Sequence, residues 1–203
     1  MVIEIFNGEI GVPAKCGTRF FSKTKKSPER TEGYWTREFL GLPNQFAEYR
    51  IPTEEAKWKK LKYFIVRDPF EHLKSALHTD LVICWDDLDK VKSILDTYMN
   101  EYGDTHYNPV LYKSVFDLFK EWKMKVKCID ISGVSEFLKE RGFDIPYIKE
   151  EYAFKHNPNW KSKEECVEIV QTNFPDEWNT LVKFCNRDRE YYEYLILGRG
   201  KLI

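Results

Sequence analysis

Two short stretches of this chain hold the side chains best suited to chemistry. In "PAKCGTRFF", residues 13–21, Lys15, Gly17 and Thr18 stand where an early strand gives way to a candidate helix start. Consecutive backbone N–H groups in a strand-to-helix loop converge on an anion, the helix dipole favours negative charge there, and a lysine adds a mobile positive one. In "YFIVRDPFEHLKSALHTD", residues 63–80, Arg67 ends an apolar strand and Ser75 falls two turns into the following helix. An arginine at a strand end with a hydroxyl on the next helix makes a two-point clamp for a phosphate. The chemistry so described is the binding of a phosphorylated ligand. The first stretch is not a Walker A loop, which needs G-x-x-x-x-G-K-[ST]. Here Gly17 is followed by Thr18 and Arg19, and the lysine comes two positions before the glycine.

The elements that must position these residues are readable in outline. "VIEIF" (2–6) alternates as a strand, "NG" offers a hairpin turn, and "EIGV" (9–12) makes a short return run. The polar passage "SPERTEGYWTREFLGLPN" (27–44) lacks periodicity and reads as loop. "FAEYRI" (46–51) reads as a strand, "TEEAKWKKL" (53–61) as a short helix, and "KYFIV" (62–66) and "VKCIDI" (126–131) as buried strands. After the strand 62–66, Asp68 is a good N-cap, Pro69 suits the first helical position, and Glu71 can reach back to the cap. Arg67 is thereby set at the carboxyl edge of the sheet, where open α/β sheets bind ligands. Further helices are expected over 86–102 and 110–122, from a Ser132 cap to a Gly142 stop, from a Ser162/Glu165 capping box, and from Pro175 onward. Strands separated by helices predict a parallel sheet covered on both faces, in one domain over residues 1–203.

Composition narrows the function classes. The chain has 203 residues, 42% hydrophobic and 32% charged, with a formal net charge of −1. That balance supplies no general attraction to nucleic acid or to a membrane surface, so an anion site must be local. No apolar run approaches the ~20 residues of a membrane span, and the first residues lack the basic and apolar regions of a secretion signal. A cytoplasmic protein is expected. The five cysteines are scattered without a CxxC pair, which favours free thiols over a disulfide framework or a zinc site.

Taken together, "AKCGTRF" after an early strand and "IVRDPFEHLKSAL" about fifty residues later resemble the PAPS-dependent sulfotransferases, particularly the carbohydrate branch. In that family a PKxGTT or PKCGTR loop holds the 5′-phosphosulfate of PAPS (3′-phosphoadenosine 5′-phosphosulfate). An RDPxxxxxS segment binds the 3′-phosphate through its Arg and Ser. The resemblance implies that Lys15, Cys16, Gly17, Thr18 and Arg19 form the loop and that Arg67 and Ser75 hold the 3′-phosphate. "DTHYNP" (104–109), "VKCIDISGVSEFLKERG", "HNPNW" (156–160) and the tyrosine-rich "NRDREYYEYL" are similar to later family segments, so the likeness runs over most of the chain. Ala14 stands where the family commonly has proline, with Pro13 one position earlier. The family's Golgi members carry a membrane anchor that this chain lacks, and a minimal soluble catalytic domain is expected.

What the resemblance implies is a P-loop-like three-layer α/β/α fold with a central, mainly parallel sheet and a helical C-terminal part. The activity implied is transfer of a sulfuryl group from PAPS, the co-substrate, to an acceptor hydroxyl on a carbohydrate or small hydroxylated molecule, releasing PAP. Lys15 would stabilise the leaving oxygen, and no metal is implied. The base is either His106, in a loop able to face a cleft, or Glu48, on the strand 46–51. His72 is expected at the surface, and His78 as a partner of its helix C-terminus. Two other readings stay open: a P-loop-type small-molecule kinase, and a nucleotide-binding module without turnover.

Overall fold

The computed structural model describes residues 2–6, 9–13, 15–16, 30–35, 60–82, 84–99, 107–143 and 161–197. Strands β1 (Val2–Phe6) and β2 (Ile10–Pro13) form the expected hairpin, with Phe6 opposite Ile10 and the Glu9 N–H bonded to Phe6 C=O at 3.1 Å. Strand β3 (Arg30–Trp35) pairs antiparallel with β1 on its other side. Strand β4 (Tyr63–Val66) runs parallel to β2, and β5 (Lys127–Asp130) parallel to β4, giving the order β3-β1-β2-β4-β5.

The chain is thus mixed α/β, and the expectation of a mainly parallel sheet is corrected to a mixed one. A tight turn after β1 reverses the chain, so β1 can only lie antiparallel to β2, and β3 extends that antiparallel half. Reading 27–44 as loop also missed β3, because Arg30, Glu32 and Gly33 interrupt the β-favouring Thr31, Tyr34 and Trp35. The predicted strand 46–51 and most of the predicted helix 53–61 lie outside the described residues.

Six helices follow among the described residues. Helix α1 (Pro69–Leu81) leaves β4 directly, then α2 (Leu88–Met99) and α3 (Leu111–Glu121) lead to β5. A 3-10 turn (Ile131–Gly133), α4 (Val134–Glu140), α5 (Lys163–Asn173) and the 23-residue α6 (Pro175–Leu197) complete the order. Asp130 rather than Ser132 caps the turn after β5, its carboxylate accepting from Ser132 N–H at 2.8 Å. The expected stop is present, with Gly142 at φ +75, the left-handed region glycine enters without cost.

Period-two alternation in β4 sends its side chains to both sheet faces. Phe64 and Val66 pack with Ile3, Ile5 and the α3 residues Leu111, Val115 and Phe119. Ile65 packs with Phe6, Ile10, Val12 and the α4 residues Val134, Phe137 and Leu138. A further core joins α1, α2, α5 and α6 through Leu73, Leu77, Val91, Leu95, Val170 and Leu181. Gly11 allows β2 to close on β4: a β-carbon there would come within 2.7 Å of the Phe64 ring.

Candidate functional site at the carboxyl edge

Parallel pairing of β2 with β4 and of β4 with β5 carries three chain exits to one end of the sheet: Lys15–Cys16, Arg67–Asp68 and Asp130–Ser132. The two stretches that sequence spacing separates meet there, since the Arg67 guanidinium Nη1 donates to the Lys15 carbonyl at 2.9 Å. Arg67 Nε is buried and has no hydrogen-bond partner among the described residues. A buried guanidinium N–H without an acceptor is costly, and a bound oxyanion is a natural acceptor for it.

The loop begins with a strained residue. Cys16 N–H closes a turn on the Pro13 carbonyl at 3.0 Å, and Lys15, its third residue, has φ +63. Turns with a positive φ at that position ordinarily place glycine or asparagine there. A lysine in the left-handed region stores strain of a kind that clusters at functional sites. The Cys16 thiol turns into the core and faces the Tyr112 hydroxyl at 3.7 Å, and burial pushes it up to about 12. It is therefore a neutral thiol. With the Cys16 N–H engaged, the remaining loop donors belong to Gly17, Thr18 and Arg19, which lie outside the described residues, as do Glu48 and His106.

The turn after β4 forms as its sequence dictates. Asp68 Oδ1 accepts from Phe70 N–H at 2.9 Å and Glu71 N–H at 3.2 Å, with Pro69 as the first helical residue. The Glu71 carboxylate turns instead to Lys74 Nζ at 2.8 Å. That ion pair draws it below the usual carboxylate range. Ser75 is half-buried on α1. A rise of about 1.5 Å per residue sets it about 10 Å along the axis from the cap, a span that an arginine side chain and a phosphate can bridge together.

The histidines on α1 divide. The expectation of a surface His72 is corrected: it is 1% exposed, with its ring 5.9 Å from that of Tyr107, because α1 is enclosed by α5 and α6. His78 Nε2 contacts the Lys161 carbonyl at 3.1 Å, and burial holds its pKa below the usual value.

Four residues that sequence reasoning did not single out complete this edge. The Tyr112 hydroxyl accepts from Arg67 N–H at 2.9 Å and donates to Arg67 C=O at 2.7 Å. Asp188 of α6 accepts from the N–H groups of Tyr112 at 3.0 Å and Lys113 at 2.9 Å. Burial pushes its carboxyl up to about 7, against the opposing pull of those two bonds. Arg189 pairs with Asp68 at 3.1 Å, and the Tyr192 hydroxyl donates to Asp130 at 2.7 Å. Burial alone would raise Asp130, yet the hydrogen bonds from Ser132 and Tyr192 hold it below the usual carboxylate range. Only the clustering of Asp188, Arg189 and Tyr192 within five residues of the last helix hinted at three of them.

An open depression of about 670 Å³ lined by Cys84, Asp86, Asp87, Leu88, Asp89 and Lys90 shares no residue with this edge. Its acidic lining suits no phosphorylated ligand. No group of acidic, histidine and cysteine residues suited to a metal occurs among the described residues, and no helix there is long and apolar enough to cross a membrane. No family model matches the chain, and neither does any curated protein or solved structure.

Proposed function

We propose that the chain is a PAPS-dependent sulfotransferase of the carbohydrate-sulfotransferase type, with a P-loop-like three-layer architecture. The observation that carries the reading is the 2.9 Å bond from Arg67 Nη1 to the Lys15 carbonyl, which makes the two motif stretches one site at the sheet's carboxyl edge. The buried Arg67 Nε, without a hydrogen-bond partner among the described residues, and the strained backbone of Lys15 support it further.

In the proposed reaction an acceptor hydroxyl oxygen attacks the sulfur of PAPS. The new S–O bond forms as the bond to the 5′-phosphate oxygen breaks, PAP carries away the electron pair, and the acceptor proton passes to a base. Charge spreads over the equatorial oxygens, so catalysis is mostly positioning and electrostatics, as in phosphoryl transfer. Lys15 neutralises the departing oxygen, and Gly17, Thr18 and Arg19 cradle the 5′-phosphate, the turn before them being closed by the bond from Cys16 N–H to the Pro13 carbonyl. Arg67 and Ser75 grip the 3′-phosphate, and His106 or Glu48 takes the proton. The acceptor is a glycan or a small hydroxylated molecule.

The test separates the two ends of the nucleotide. Arg67→Ala should weaken PAP by roughly 2–4 kcal/mol, the range for removing a charged hydrogen-bonding partner. It should weaken adenosine 5′-phosphosulfate, which lacks the 3′-phosphate, far less. Equal weakening of both ligands in calorimetric titrations would refute the assignment.

A further inference from the structure

We propose that Tyr112 is a positioning residue of this nucleotide site, its hydroxyl setting where the Arg67 guanidinium stands relative to the Lys15 turn. The inference rests on the reading of Arg67 as a phosphate ligand. Its starting point is an account of backbone groups. Arg67 lies one residue past the paired portion of β4, which ends with Val66 opposite Asp130, so its N–H and C=O have no ladder partner among the described residues. The Tyr112 hydroxyl takes both, accepting at 2.9 Å and donating at 2.7 Å. A phenol has one proton, and Arg67 C=O receives it, so in the 3.7 Å contact with Cys16 the thiol must be the donor. One oxygen thereby ties the exit of β4 to the exit of β2, whose Lys15 carbonyl holds the other end of Arg67.

The position of Tyr112 is itself fixed from a distance. Helix α3 has Val110 at its N-cap with no side-chain cap bond, and the N–H groups of its second and third residues, Tyr112 and Lys113, go to Asp188 on α6, 76 positions away for Tyr112. Both Tyr112 and Asp188 are buried. Asp188 fixes the first turn of α3, that turn fixes the phenol, and the phenol fixes the backbone from which the arginine extends.

The experiment compares PAP with adenosine 5′-monophosphate, which differs by the 3′-phosphate alone, in calorimetric titrations of wild type and Tyr112→Phe. Phenylalanine keeps the ring and removes one oxygen. The wild type should prefer PAP, and Tyr112→Phe should lose about tenfold in PAP affinity while its affinity for the monophosphate stays within about twofold. Asp188→Asn should shift the same ratio in the same direction, and it decides the matter if Tyr112→Phe does not fold. A lowered Tm with an unchanged PAP-to-monophosphate ratio overturns the positioning role. A wild type indifferent to the 3′-phosphate overturns instead the nucleotide reading on which it rests.

Discussion

Replacing Lys15 by glycine should separate what its backbone costs from what its side chain does. At φ +63 a residue bearing a β-carbon is disfavoured by about 1–2 kcal/mol, a cost that glycine escapes. Glycine's wider freedom in the unfolded chain gives back about 0.5–1 kcal/mol. The net expectation is a stabilisation of about 0.5–1 kcal/mol for Lys15→Gly relative to Lys15→Ala, a comparison that cancels every contact of the lysine side chain. For a domain of this size that corresponds to a Tm higher by about 1–4 °C. Arg67 still finds its acceptor in either variant, since it bonds to the backbone carbonyl. Urea unfolding followed by tryptophan fluorescence measures the first quantity, and turnover of labelled PAPS the second. Both variants should lose about 10²–10³ in kcat, the usual loss for a missing donor to a developing oxyanion. A glycine variant less stable than the alanine variant would refute the strain argument. Turnover within about threefold of wild type in both would refute the role of the side chain.

Two further outcomes follow from the same structure. The Asp188 carboxyl, 4% exposed and raised to about 7, stabilises the fold in its protonated form, so its contribution is complete below about pH 4 and is lost as the pH rises through about 7. Urea midpoints from pH 4.5 to 7.5 should therefore show a fall in wild type, at most roughly 1.4 kcal/mol per pH unit, that Asp188→Asn lacks; parallel pH curves would contradict it. For the base, one of His106→Ala and Glu48→Gln should lower kcat by about 10²–10⁴ with PAP binding unchanged. If it is the histidine variant, the loss of rate below about pH 6.5 should vanish with it; two fully active variants would remove both from the mechanism.

What could be read in the sequence was what local chemistry decides. The Asp68–Pro69 start of α1 and the reciprocal Ser162/Glu165 box of α5 need only residues within one turn of each other, and both form as their sequences predict. Short β-favouring runs of the buried-strand kind likewise marked β4 and β5 to within a residue or so of their ends. The juxtaposition of Arg67 with the Lys15 turn was legible only through the expectation of parallel strands. The sheet met that expectation between β2, β4 and β5 and departed from it at β1 and β3.

The rest depends on partners far apart in sequence. Asp188 caps α3 across 76 positions for Tyr112, and Tyr112 reaches Arg67 across 45, distances at which no spacing rule operates. His72 illustrates the same limit: on its own helix it reads as polar and outward, and it is buried because α5 and α6 close over α1. The left-handed Lys15 was hidden because residue type normally signals such a backbone through glycine.

The central claim is that the carboxyl edge binds a nucleotide bearing a 3′-phosphate. Its most direct test is the thermal unfolding of the wild-type chain with PAP, or with ATP and Mg²⁺. At a hundred times its Kd, PAP should stabilise the fold by about 2.7 kcal/mol, seen as a Tm raised by several degrees, while ATP with Mg²⁺ at the same concentration leaves Tm nearly unchanged. A Tm raised by ATP with Mg²⁺ and indifferent to PAP would contradict the claim and assign the edge to a kinase-like site.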